Sequence, residues 1–243
     1  MPHEAADATE LVPELDLPWA HPDAQSLPAD AFAQFFNAYD RLDEATKLLA
    51  AENLKRLGPA QLERLRDELS GVAPERRLRA VKIVVTLHRE QDLEPALLAL
   101  VSDDDRHVRA TVVKTLGILE DEPAVRALLE AVSDADRRVV ANSVEAIEQT
   151  GRGELAGLAR IFASHPNNRI RANAVKALFS LGERDAPDLL DAMLADGDEM
   201  MRLSATWVLG EIDHPRRIEK LATVAATDPS DRVRAKARSI LGE

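Results

Sequence analysis

Five segments of this sequence repeat one helical pattern at a nearly constant spacing. Each segment opens with an apolar residue, and successive openers are 31, 31, 31 and 32 residues apart. The openers are Val108, Val139, Ile170, Met201 and Val233. Apolar or small residues follow four and eight positions later, which places them with the opener on one stripe of an α-helix. One unit of this length cannot bury its stripe alone, so the period predicts a stack of units.

Each opener is preceded, three positions earlier, by a residue that favours the start of a helix. These residues are Asp105, Asp136, Asn167, Asp198 and Ser230. Their side chains can accept a hydrogen bond from a backbone N–H that has no partner in the first helical turn. Four further stretches with a helical stripe lie between the five segments, and three of them carry an early proline, which a first turn tolerates. Each period therefore predicts two antiparallel helices.

The sequence resembles the HEAT repeat family, in particular its short bacterial HEAT-like repeats of the phycobilisome-lyase type. The matching features are the Val-Arg-Ala openers, the aspartates before them, the proline-led partner helices, and the Leu-Gly pairs at 116–117 and 209–210. The resemblance is clear from about residue 94 to 243 and continues over 59–93 with a slipped register. It implies an all-α, right-handed α-solenoid of about six helical hairpins over residues 59–243. The family shares a fold and not an activity.

The first part of the chain differs from the repeats. The first forty residues hold eight Asp or Glu and no Lys or Arg. Residues 1–27 also carry four prolines, so we expect an acidic extension that is poorly structured by itself. Trp19 within it is either a residue that docks on the chain's own solenoid or part of a short motif for another protein.

Residues 28–58 are predicted to form a helical cap for the N-terminal end of the solenoid. Phe32, Phe35, Phe36 and Tyr39 lie on one helical stripe. A solenoid end needs such a unit because its last apolar face has no neighbour. We expect this helix to pack on the helix that begins near Glu44, and a dimerisation or partner surface is the alternative.

A charged ladder between repeats is expected from two further positions. Arginines follow four of the openers, and aspartates stand five residues before four of them. These are Arg109, Arg171, Arg202 and Arg234, with Asp103, Asp134, Asp196 and Asp228. In HEAT proteins the matching residues form an alternating ladder. Val140 and His165 interrupt it here, and exposed pairs of this kind contribute about 0–1 kcal/mol each.

The inner face of the solenoid is the candidate binding surface. The resemblance places the helices that begin with the openers on that face, and positions three and six residues after each opener are expected to face away from the core. The candidate residues are Trp207, Lys114, Glu145, Lys176, Asn142, Asn173 and Ser204. Trp207 stands out, because the equivalent positions are otherwise polar and tryptophan often anchors interfaces. Its alternative is a partly buried core residue.

Composition excludes several function classes. The net charge of −12 argues against nucleic acid as a partner. The chain has no cysteine, no histidine spacing typical of a metal site, no signal-peptide pattern and no stretch long enough for a membrane span. We therefore expect a cytoplasmic protein that is not an enzyme, has no metal or cofactor and does not bind membranes.

The function expected from these features is that of a protein-interaction scaffold or adaptor. It would hold a helix or extended peptide of a partner along the concave face. The alternative is an accessory subunit or lyase-like protein that acts on a tetrapyrrole-carrying protein. Self-association is a further option, through the aromatic helix or the uncapped C-terminal repeat.

Overall fold

A computed structural model describes residues 30–54 and 58–243 of the chain. Throughout this part the regular secondary structure is helical, and no described residue lies in a strand. Two helices come first, α1 (Ala31–Ala38) and α2 (Glu44–Leu54). The predicted acidic extension, with Trp19, lies outside the described residues. No helix among the described residues is long and apolar enough to cross a membrane.

Six helical hairpins follow, in agreement with the resemblance to HEAT repeats. The first helices of the hairpins, here called the outer helices, are α3 (Pro59–Leu69), α5 (Glu94–Ala99), α7 (Glu122–Ala131), α9 (Ala156–Phe162), α11 (Ala186–Leu194) and α13 (Arg217–Thr227). The second helices, here called the inner helices, are α4 (Pro74–Thr86), α6 (Arg106–Leu116), α8 (Arg137–Gln149), α10 (Asn168–Ser180), α12 (Glu199–Glu211) and α14 (Asp231–Leu241).

The hairpins stack in chain order to form an α-solenoid. Each inner helix from α4 to α12 packs directly on the next inner helix, whereas the outer helices contact one another less. All five openers are buried, and so are the residues eight positions later in α6, α8, α10 and α12. The continuous core therefore lies along the row of inner helices, and each hairpin buries its apolar stripe against its neighbours.

The predicted N-caps are confirmed for all five segments. The side chains of Asp105, Asp136, Asn167, Asp198 and Ser230 each accept a hydrogen bond from a backbone N–H in the first turn of their helix. These bonds satisfy donors that a helix start otherwise leaves unpaired. The caps explain why the inner helices from α6 to α14 begin at equivalent positions of the repeat.

Helix α1 packs against α4, a contact that the sequence did not predict. On the side of α2, the expected partner, the ammonium group of Lys47 lies 4.9 Å from the centroid of the Tyr39 ring. The Tyr39 hydroxyl lies 2.7 Å from Thr86 Oγ1. The guanidinium of Arg76 lies 5.0 Å from the centroid of the Phe36 ring. Phe32, Phe35, Phe36 and Tyr39 are all buried within this one chain. The stripe is therefore not exposed as a surface for self-association.

Candidate protein-binding groove on the inner helices

The face shared by the inner helices is concave. A groove of about 610 Å³ crosses it, and its lining residues come from the five successive inner helices α6 to α14. The lining residues are Lys114, Glu145, Asn168, Arg169, Ala172, Asn173, Leu203, Ser204, Trp207, Arg232 and Lys236. The inner helices also pack more closely on one another than the outer helices do. Because the more tightly spaced side of a row lies on the inside of its curve, this packing makes the inner face concave.

Trp207 combines the two roles that its sequence position left open. Its side chain is partly buried and packs against the buried core of the last three hairpins. It also lines the groove. The ammonium group of Lys176 lies 5.9 Å from the centroid of its ring, a distance typical of cation–π contacts. One side of the indole is therefore supported by the protein, and the groove is open to a ligand on another side.

Five of the seven candidate residues line the groove, namely Trp207, Lys114, Glu145, Asn173 and Ser204. Lys176 borders it through its contact with the indole ring and pairs with Glu148 at 3.0 Å. Ser204 accepts a hydrogen bond from Asn168 at 2.6 Å, which ties α10 to α12 at the floor of the groove.

The side chains of Asn142 and Asn173 are buried, although Asn173 borders the groove, and this corrects the expectation that both are exposed to a partner. The side-chain amide of Asn142 donates to the backbone oxygen of Ala110 at 2.7 Å, and that of Asn173 donates to the backbone oxygen of Ala141 at 2.8 Å. In each case the acceptor lies on the preceding inner helix. These asparagines join neighbouring repeats, because the inner helices α6, α8 and α10 approach one another closely enough to cover both side chains.

The Arg–Asp ladder joins successive hairpins on the side of the inter-helix turns. Arg109 donates to both carboxylate oxygens of Asp134, at 2.8 and 3.0 Å, and Arg202 does the same to Asp228, at 2.9 and 3.2 Å. Arg171 lies 3.6 Å from Asp196. Arg234, in the last described hairpin, contacts Asp231 and the backbone oxygen of Asp228.

The ladder begins one hairpin earlier than the sequence pattern indicates. Arg77 donates to both oxygens of Asp103, at 2.6 and 2.7 Å. Arg77 lies 32 residues before Arg109 and occupies the same repeat position. Sequence reasoning missed it because the residue before it, Arg76, is not apolar and so does not look like an opener.

The ladder is interrupted at the predicted place. Val140 is buried beside Ile170, and it offers no donor to the next hairpin. The Nδ1 atom of His165 accepts a hydrogen bond from the backbone N–H of Asn167 at 3.0 Å. Asp134 makes the same turn contact with the backbone N–H of Asp136 at 2.7 Å. His165 therefore keeps the turn function of the ladder aspartate without its ion pair.

The ladder pairs are largely buried, which corrects the expectation of exposed pairs. The exposed fractions of the side chains are 14% and 4% for Arg77 and Asp103, and 11% and 6% for Arg202 and Asp228. Removing one member of such a pair leaves a buried charge without its partner, and the cost is larger than for an exposed pair. The Arg171–Asp196 pair is more exposed, with side-chain fractions of 22% and 31%. The ladder links successive hairpins of the stack.

The electrostatics of the ladder follow from the same geometry. Burial by itself raises the pKa of Asp228, but hydrogen bonds from Arg202 and from the backbone N–H of Ser230 outweigh it, so the pKa lies below its ordinary value. The pKa of Asp134 is lowered in the same way by Arg109 and the N–H of Asp136. Both carboxylates are therefore held in their charged form.

A larger cleft of about 670 Å³ lies on the other side of the solenoid, between α11 and α13. Every charged side chain that lines it has an ion-pair partner. The pairs are Asp191–Lys220, Arg216–Glu219, Arg202–Asp228 and Asp196–Arg171. Because these charges neutralise one another, the smaller inner groove is the better candidate for a binding site.

The repeat architecture agrees with a known family. The family model for HEAT repeats matches residues 62–148 and 155–242. The chain belongs to the HEAT repeat family. Among curated protein sequences, none matches this chain.

Two solved structures of HEAT-like shape cover most of the chain. The complex of CpcE and CpcF of phycocyanin lyase from Nostoc sp. PCC7120 matches with 20% identity and a TM-score of 0.55, over 90% of this chain and 92% of that one. The Escherichia coli protein YibA matches with 20% identity and a TM-score of 0.56, over 89% of this chain and 82% of that one. At this identity the likeness is one of fold.

Six of the eleven groove residues of this HEAT solenoid were not among the sequence-based candidates, and two of the six are arginines. Arg169 and Arg232 each stand directly before an opener. The equivalent residue of α8, Arg138, contacts His107 Nδ1 of α6 at 3.3 Å, and Arg232 of α14 contacts Met200 Sδ of α12 at 3.5 Å. Aligning the position before each opener would have revealed this row, because it places side chains of successive HEAT repeats side by side.

Proposed function

We propose that this HEAT repeat protein is a non-enzymatic scaffold that binds a segment of another protein along its inner groove. The observation that carries the proposal is a groove lined by five successive inner helices with Trp207 among its lining residues. A surface that crosses several repeats suits a ligand that is itself long, such as a helix or an extended peptide.

Trp207 supports a binding role for two reasons. The other repeats place Lys114, Glu145, Lys176 and Ser239 at its position, so a tryptophan is not required there by the repeat itself. A partly exposed indole held against a packed core also loses little conformational freedom when a ligand covers it.

A site-specific photo-crosslinking experiment tests the proposal. A benzophenone amino acid placed at Leu203 in the groove is expected to crosslink a defined partner in cell extract, which mass spectrometry then identifies. The matched control carries the same probe at Ile161, which is exposed on the outer helix α9. Identical products from the two positions would contradict binding in the groove.

The alternative is an accessory or lyase-like role on a tetrapyrrole-carrying protein. It rests on likeness of fold to phycocyanin lyase subunits. The crosslinking experiment separates the two functions, because the alternative requires that the captured partner carries a chromophore that absorbs visible light. A colourless partner supports the scaffold.

A further inference from the structure

We propose that the inner groove selects an acidic, amphipathic segment of the partner protein. This inference rests on the proposed function and adds the chemistry of the ligand to it. Its starting point is the charge of the groove, which is opposite in sign to the charge of the whole chain.

Four cationic side chains line the groove, and among the described residues Glu145 is the single acidic one that lines it. The cations are Lys114, Arg169, Arg232 and Lys236. Arg169 donates to the side-chain oxygen of Asn142 at 2.7 Å, and Arg232 contacts Met200 Sδ. None of the four forms an ion pair with a carboxylate of the described residues. Their charges are therefore available to a ligand.

The charge of the groove differs from the charge of the chain as a whole and from that of the outer cleft, and this difference indicates the charge of the ligand. The chain carries 43 acidic and 31 basic residues, so its average surface is acidic. In the cleft between α11 and α13, each charged side chain is already neutralised by a neighbour. Four unneutralised cations around one groove favour a ligand with carboxylates, since charge complementarity gives specificity and speeds association.

The uncharged part of the groove indicates the second property of the ligand. Ala172, Leu203 and the Trp207 ring form an apolar section of the lining. An acidic segment with at least one large apolar or aromatic residue would cover this section while its carboxylates reach the cations.

A protein segment fits these features better than a nucleic acid does. A nucleic acid carries a charge on every phosphate beyond the groove as well as within it, and the acidic remainder of the chain would repel it. A short protein segment confines its negative charge to the groove and offers the apolar side chain that the groove can bury.

A random peptide library is a suitable probe, because it assumes no partner. The library is selected against the full chain and against a charge-reversed variant, Lys114→Glu with Lys236→Glu. Lys114 is exposed and Lys236 partly exposed, so both changes preserve the fold, which circular dichroism checks. The matched control is Arg64→Glu with Arg126→Glu, which changes the net charge equally on exposed positions of the outer helices α3 and α7.

Peptides that bind the wild type and the control but not the charge-reversed variant are expected to be rich in Asp and Glu and to contain an aromatic or large apolar residue. A synthetic peptide from that set should bind the charge-reversed variant about tenfold or more weakly, and its Glu→Gln version should lose affinity for the wild type.

Three outcomes would overturn the inference. If the groove-dependent peptides are neutral or basic, the groove binds peptides but not acidic ones, and the proposed function stands without this inference. If the same peptides bind all three proteins, the groove is not the peptide site and the proposed function fails with it. A single-stranded oligonucleotide that binds the groove more tightly than every selected peptide would assign the cations to nucleic acid.

Discussion

Arg202 of α12 and Asp228 of the following hairpin form a largely buried ion pair through two hydrogen bonds, at 2.9 and 3.2 Å. Arg202 also donates to the backbone oxygens of Asp196 and Gly197, at 2.9 and 3.1 Å. One guanidinium therefore closes the turn of its own hairpin and holds the next hairpin in register. Arg109 does the same for Asp134 and for the backbone of Asp103.

Replacing Arg202 with methionine is expected to destabilise the protein by about 3–5 kcal/mol, because the Asp228 carboxylate remains buried without its partner. Thermal unfolding followed by circular dichroism measures the change. The control is Arg216→Met, which breaks the exposed pair Arg216–Glu219 and should leave the melting temperature unchanged. Equal losses in the two variants would show that the ladder is no more important than a surface pair.

The ladder also predicts how stability depends on pH. The pKa values of Asp134 and Asp228 are lower in the folded chain than their ordinary value of about 3.9. Their contribution to the free energy of unfolding is therefore complete above the ordinary value and is lost as pH falls through the lowered, folded-state values. Urea unfolding at a series of acidic pH values should show this loss. Asp228→Asn should have a smaller loss on acidification, and an unchanged pH profile would contradict the assignment.

Gly117 allows α6 and α8 to approach closely. A Cβ atom added there would lie 2.7 Å from Ala146 Cβ and 2.9 Å from Ala146 Cα. Gly117→Ala is thus expected to separate the two helices and to destabilise the protein by about 1–3 kcal/mol in thermal unfolding.

The control for Gly117 is Gly157→Ala in the helix α9. No atom lies within 4 Å of the added Cβ at that position. Alanine there should stabilise the protein by about 0.5–1 kcal/mol, because glycine is a poor helix former. If alanine lowers the stability at position 117 and raises it at position 157, packing between helices and not helix propensity determines the effect at Gly117. A neutral Gly117→Ala variant would mean that the helices adjust at no cost.

The partly exposed position of Trp207 predicts separate effects on binding and stability. Trp207→Ala should weaken the partner or a selected peptide by about 2 kcal/mol or more, as measured by calorimetry. Leu209→Ala, two residues later and fully buried, should instead destabilise the fold by about 2–5 kcal/mol. If Trp207→Ala lowers the melting temperature as much as Leu209→Ala does, Trp207 serves the core and not the groove.

The N-terminal aromatic helix is expected to stabilise the first hairpin. Phe35 is fully buried, so Phe35→Ala should cost about 3–5 kcal/mol in denaturant unfolding. The control is Leu48→Ala on α2, where the side chain is 61% exposed and little stability should be lost. A Phe35→Ala variant as stable as the control would show that α1 does not cap the solenoid.

The sequence by itself determined everything that depends on spacing within one repeat. The openers and N-caps recur at fixed offsets, so the helix starts followed from local hydrogen bonding and apolar periodicity alone. The ladder from Arg109 onward followed as well, because residues at one repeat position come to lie side by side when similar units stack. The interruption at Val140 and His165 could be predicted for the same reason. The first pair of the ladder, Arg77 with Asp103, did not follow, because Arg76 does not match the apolar opener.

Only the tertiary structure decided what depends on how helices from different repeats approach one another. Asn142 and Asn173 are polar and occupy positions that looked exposed, yet neighbouring inner helices bury them and accept their hydrogen bonds. Tyr39, at the end of the aromatic stripe, contacts Thr86 of α4, which lies 47 residues later in the chain. The groove that brings Lys114, Trp207 and Lys236 together exists because the stack curves. That curvature depends on packing distances and angles between helices, which a pattern of residue types along one helix does not specify.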